Sequence, residues 1–145
     1  MGPETAPLGL APLGLAVVCR TDSLGSALAL AEAAVRRGRP LTLVSYPLAG
    51  GAGPGWFWAL GEAVRHRYPN LALDLVFDAG SEAGTALAAL RRGLRHILFT
   101  GPAGTAAKLV GIAAANGAVL VTDPAPIPTL SPALAPDPSA PDPKS

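Results

Sequence analysis

The feature that most constrains this chain is a regular alternation of short apolar runs with Ala/Leu-rich stretches carrying helix start and stop signals. The apolar runs are Leu13 to Cys19, Leu41 to Tyr46, Leu71 to Asp78, His96 to Thr100 and Ala118 to Thr122. Continuous apolar strands need cover on both faces, which is the mark of a parallel sheet. Between them, Leu24 to Arg37 ends at Gly38, a residue suited to a left-handed cap. Trp56 to Tyr68 follows Pro54, near the first turn where proline is tolerated, and stops before Pro69. Glu82 to Arg92 follows Ser81 as N-cap and ends at Gly93, and Ala103 to Ala115 lies between Pro102 and Asn116-Gly117. The pattern predicts an α/β fold: a five-stranded parallel open sheet, (βα)4β, three-layer, in flavodoxin/receiver-like order, with right-handed crossovers. Half of a (βα)8 barrel that pairs with a second copy is the alternative.

The 145 residues suit one domain, and half of them are hydrophobic, enough for a core. Gly 17 and Pro 16 point to a part of the chain that stays unfolded. Residues 1–12 read as a flexible segment in which APLGL begins a direct repeat (6–10 and 11–15) broken by Pro7 and Pro12. Residues 13–122 form the domain, and 123–145, with eight prolines, read as a disordered, partly polyproline tail. That tail is a tether first and a proline-motif ligand second. No Lys or Arg precedes Arg20, so the charged start of a secretory signal is missing. The longest apolar run, Leu8 to Cys19, has 12 residues, short of a membrane helix. A cytoplasmic protein without a membrane partner is expected. A single cysteine excludes an internal disulfide scaffold, and a net charge of +1 argues against a nucleic-acid partner.

In βαβ units the helix C-termini lie at the strands' N-terminal pole. Arg36, Arg37 and Arg39, then Arg65, His66 and Arg67, then Arg91, Arg92, Arg95 and His96 gather there, while Asp22, Asp78 and Glu82 lie opposite. Dipole compensation accounts for the basic ends at about 0.3–1 kcal/mol per charge. A docking face for an anionic partner is the sharper reading.

Ligands of open parallel sheets bind beyond the strands' C-terminal ends, where strand order reverses. For a 2-1-3-4-5 order that point lies between the first and third strands. It collects Cys19 and Asp22 from the first loop, Asp78 from the third, and Thr100 from the fourth. Gly53, in the glycine-rich loop before the second helix, and Trp56, at that helix's start, complete the candidate ligand-binding set. Asp78 is the candidate catalytic residue: a ligand-binding, metal-binding or phosphoacceptor carboxylate or a general base, or else a cap on the next helix or an Asx turn before Gly80. Asp22 or Ser23 caps the first helix. Cys19 reads as a small buried residue or as a thiol activated by a helix N-terminus.

Several chemistries fall away. Trp56 breaks the G-x-G-x-x-G fingerprint that would start at Gly51. Gly101 opens a P-loop-like stretch, but Ala106, Ala107 and Lys108 stand where glycine, lysine and Ser/Thr belong. Gly25 breaks C-x5-R. His66 and His96 lie at the far pole, so no Ser–His–Asp group forms at the expected site. Two histidines and one cysteine do not make a usual zinc site, and no cofactor is indicated.

The order of elements over residues 13–124 resembles a response-regulator receiver domain. That resemblance implies an aspartate phosphoacceptor ending the third strand, at Asp78, and a Ser/Thr ending the fourth, at Thr100. The family's acidic pair is replaced by Cys19-Arg20, its lysine before proline by Asp123, and its fifth helix by the proline tail. The expectation is a small α/β binding or protein-interaction module with a small-anion pocket at the strands' C-terminal ends, partnered by a protein or by a second copy. A degenerate receiver-like regulatory domain and a small enzyme using Asp78 as acid/base are the alternatives.

Overall fold

The computed structural model describes residues 16–47 and 53–124. The N-terminal segment 1–12, the first residues of the glycine-rich loop and the proline-rich tail from 125 onward lie outside them. Five parallel strands in one sheet alternate with four helices, as the apolar pattern predicts: β1 (Val17–Thr21), α1 (Leu24–Arg37), β2 (Leu41–Ser45), α2 (Gly53–Arg67), β3 (Leu73–Asp78), α3 (Ala83–Arg92), β4 (His96–Leu98), α4 (Ala103–Ala115) and β5 (Val119–Val121).

The strand order is β1-β2-β3-β4-β5, not the 2-1-3-4-5 of flavodoxins and receivers. Each strand pairs with the next in the chain, with Val17 opposite Leu41, Leu41 opposite Leu73, Val76 opposite His96 and His96 opposite Val119. Crossovers of one hand that always step the same way put every helix on the same face. The packing agrees. Ala27 and Leu30 of α1, Phe57 and Val64 of α2, Ala86 and Leu90 of α3, and Leu109 and Ala113 of α4 share one cluster with Val17, Leu43, Phe77 and Ile97. A sheet wound in one direction has no point of reversal, so the expected crevice between β1 and β3 is occupied by β2. This is also the winding of a barrel segment, the alternative raised by the sequence.

Local signals set the element ends. Ser23 caps α1, its hydroxyl accepting from the Ser26 N–H at 3.1 Å. Gly38 closes α1 at φ 65°, a left-handed conformation that favours glycine, and its N–H reaches back to the last-turn carbonyls. Pro54 falls in the first turn of α2, so that helix starts at Gly53 rather than Trp56. Glu82, not Ser81, is the N-cap of α3, without a side-chain hydrogen bond.

Helix-facing and helix-free positions alternate along each strand. Phe57 of α2 meets Phe77 of β3 with ring centroids 6.0 Å apart. Gly61 lets α2 approach Leu75 so closely that a Cβ there would overlap the leucine side chain. The other face carries a second apolar cluster, Val44, Val76, Leu98 and Val121, to which no helix contributes. No described helix is long and apolar enough to cross a membrane.

Candidate functional site

All five strands point their C-terminal ends to one rim, so Thr21, Ser45, Asp78 and Thr100 lie along it. What the rim holds is an ion pair. Arg20 and Asp78 both occupy helix-free positions, on β1 and β3. The Arg20 side chain runs across β2: its Nη1 donates to the Ser45 carbonyl at 2.5 Å and to Asp78 Oδ2 at 3.0 Å. Both side chains are buried, Arg20 at 7% and Asp78 at 4% residue exposure. The guanidinium also lies 5.7 Å from the centroid of the Tyr46 ring.

Asp78 is held by more than its charge partner. Its Oδ1 accepts from the Gly80 N–H at 2.8 Å, and its own N–H donates to Ser45 Oγ at 2.8 Å. The Asx turn before Gly80 is therefore present, with Gly80 at φ 58°. The Thr100 N–H donates to the Gly80 carbonyl at 2.7 Å, tying the β4 end to the same turn. Both carboxylate oxygens are thus engaged. A general base or phosphoacceptor needs an oxygen that can reach a proton or a phosphorus, and this one is enclosed by the fold it stabilises.

The other candidates scatter. Cys19 lies on the opposite, helix-packed face and is 4% exposed, so the sheet separates it from Asp78. Asp22 is exposed beyond β1, and the cap it competed for belongs to Ser23. Gly53 begins α2 at φ 73°. Trp56 packs partly buried against the helix-side core, its ring 6.3 Å from Phe57. Of the predicted set, the structure links Asp78 and Thr100, through Gly80, and adds Arg20, Ser45 and Tyr46. Arg20 was legible as the residue that replaces a receiver acid. Its bridge across β2 was hidden, because it depends on β2 lying beside β1.

Cavities of substantial size lie at the opposite pole. One of about 530 Å³ opens beneath β3, β4 and β5, lined by Trp58, Glu62, Arg65, Asp74, Arg95 and His96 among others. A second, of about 460 Å³, lies between the ends of α1 and α2, with Arg39, Arg67 and Tyr68 in its wall. Two arginines there sit over aromatic rings, Arg92 at 4.5 Å from the Trp58 centroid and Arg67 at 4.8 Å from that of Tyr68. Such stacking holds a guanidinium plane without neutralising it. Arg65 contacts Glu62 at 3.2 Å, an exposed i,i+3 pair of small energetic weight. Eight of the nine arginines gather at this pole, with Arg20 alone at the other rim. No group of three His, Cys, Asp or Glu side chains that could hold a metal ion occurs among the described residues.

No protein-family model and no curated relative matches the chain.

Proposed function

We propose that this chain is a binding module that docks an acidic protein segment on the N-terminal pole of its sheet. The observation that carries the reading is the convergence there of eight arginines with two cavities whose walls include Arg39, Arg65, Arg67 and Arg95. Helix-dipole compensation explains a basic residue in a last turn, but it asks for no cavity and no aromatic stack. Arg39 and Arg95 lie beyond the last turns of α1 and α3, where the dipole argument weakens. Glu62 and Asp74 in the cavity beneath β3, β4 and β5 leave room for a ligand bearing some positive charge beside its acids, which suits a polypeptide better than a nucleic-acid backbone. The engagement of both Asp78 oxygens favours this binding role over phosphoacceptor or acid/base chemistry at the other rim.

The test is a salt titration of the full chain against a fluorescent Asp/Glu-rich peptide, a neutral peptide of equal length and a DNA duplex. Binding of the acidic peptide that weakens with salt, and by tenfold or more in an Arg65→Glu/Arg95→Glu variant, is expected (about 1.4 kcal/mol per factor of ten). Equal binding of the acidic and neutral peptides at low salt removes the reading, and preference for DNA replaces it.

A further inference from the structure

The cavity between the ends of α1 and α2 differs in chemistry from its neighbour beneath β3, β4 and β5. The neighbour has Glu62 and Asp74 as well as Arg65 and Arg95 in its wall. The cavity between α1 and α2, of about 460 Å³, is walled by Ala34, Val35, Pro40, Tyr68, Pro69 and Leu71. Its charged lining residues are Arg39 and Arg67, with no carboxylate among the described residues around it. Leu24, Val35, Val110 and Ile112 are the exposed large hydrophobic residues among those described, and Val35 alone of them lines either cavity, at 47% exposure. The result is an apolar hollow, open to solvent, whose only fixed charges are positive.

Backbone hydrogen bonds fix both walls. After the Gly38 cap, the Arg39 N–H donates to the Ala34 carbonyl at 2.9 Å, which turns the chain toward β2. Opposite it, the Leu71 N–H donates to the Tyr68 carbonyl at 3.1 Å, and the Ala72 carbonyl accepts from the Leu41 N–H at 2.9 Å. Pro40 and Pro69 stiffen the two connections. A pocket formed in advance spares an incoming group the cost of ordering it. The Arg67 guanidinium lies 4.8 Å from the centroid of the Tyr68 ring, which positions it while its N–H groups stay available. Arg39 is half-buried, and no described acid pairs with it.

We infer that this cavity takes a large apolar side chain, with phenylalanine as its model, from the acidic segment docked at the pole, and that acids flanking that side chain meet Arg39 and Arg67. The inference rests on the proposed docking of an acidic segment and names the anchor such a segment needs. Exposed ion pairs alone are weak and are screened by salt. Interfaces draw most of their energy from a few anchors seated in pockets, surrounded by polar contacts. Charge complementarity selects the flanks, since a wall bearing only cations repels a basic segment and attracts carboxylates. Arg65 lines one cavity and Arg67 the other, both in the last turn of α2, so one extended segment crossing that helix end reaches both.

The experiment measures binding of short fluorescent peptides of equal length to the full chain: Asp/Glu-rich or neutral, each with a central phenylalanine or a central alanine. In the acidic pair, phenylalanine is expected to tighten binding about tenfold or more, the scale of burying one large apolar side chain. That advantage is expected to persist at high salt, where the contribution of the acids fades. Val35→Lys adds a cation at an exposed position of α1, so charge alone predicts equal or tighter binding of both acidic peptides. The anchor predicts the reverse for the phenylalanine peptide, whose advantage shrinks to about twofold or less. Equal binding of the phenylalanine and alanine peptides overturns the inference, as does an advantage that Val35→Lys leaves intact; the docking proposal then stands or falls on acidic against neutral peptides. A phenylalanine advantage that depends on Val35 in the neutral pair, with no gain from the acids, supports the anchor and removes the docking proposal. A medium-chain fatty acid that binds more tightly than the phenylalanine peptide, and loses affinity in Val35→Lys, overturns the inference by reassigning the cavity to a small amphiphile.

Discussion

Asp78→Asn tests whether the Arg20–Asp78 pair is a structural element. Asparagine keeps an oxygen for the Gly80 N–H, so the Asx turn can survive, while an amide NH2 replaces the acceptor that faces Arg20, so the change removes the charge and its hydrogen bond together. It removes the carboxylate charge that faces the Arg20 guanidinium, which is buried at 7% exposure. Stranding one member of a buried pair costs about 3–5 kcal/mol. A domain of this size has only about 5–15 kcal/mol of stability to lose. At about 4–8 °C per kcal/mol for some hundred residues, the midpoint should fall by about 12 °C or more. Arg20→Met should cost a comparable amount, since it leaves the Asp78 carboxylate buried and also removes a donor from the Ser45 carbonyl. The double variant Arg20→Met/Asp78→Asn buries no charge. Its loss should fall short of the sum of the single losses by about 1–3 kcal/mol, the coupling expected of groups in contact. The assay is a denaturant-unfolding cycle on the four proteins. Single losses below about 0.5 kcal/mol that simply add would refute the argument, because they would mean that water reaches both groups.

Two further outcomes follow from the same geometry. Incubation with acetyl phosphate and magnesium should leave the intact mass of the protein unchanged, since both oxygens of Asp78 are engaged; a phosphate adduct mapped to Asp78 would reverse that conclusion. Gly61→Ala should destabilise by about 1–3 kcal/mol in thermal or denaturant melts, because its Cβ meets the Leu75 side chain. A gain in stability, from the roughly 1 kcal/mol of helix propensity that alanine offers, would show that Leu75 swings aside at no cost.

The elements were readable because their causes are local. The strand at Leu41 is apolar on both sides, and α1 runs from a serine cap to a glycine whose backbone is left-handed. Strand order was not readable. Nothing in a strand's composition says which neighbour it pairs with, and 2-1-3-4-5 and 1-2-3-4-5 bury the same apolar runs. The error passed directly into the site. A reversal between β1 and β3 would have opened a crevice beside Asp78, whereas β2 fills that space and supplies the Ser45 carbonyl that anchors Arg20. Cys19 failed for a simpler reason: its parity in β1 is opposite to that of Arg20, so it faces the helices. The basic pole was readable from helix ends alone, but its cavities depend on how α2 and α3 meet beneath β3, β4 and β5.

Ordered pairing of each strand with its successor bears on how the chain acquires its shape. Val17 can find Leu41 as soon as α1 has formed, and every later strand adds to an edge that already exists. A nascent polypeptide could therefore build this sheet from its amino end, one helix-and-strand step at a time, with no early strand waiting for a distant one to slot in beside it.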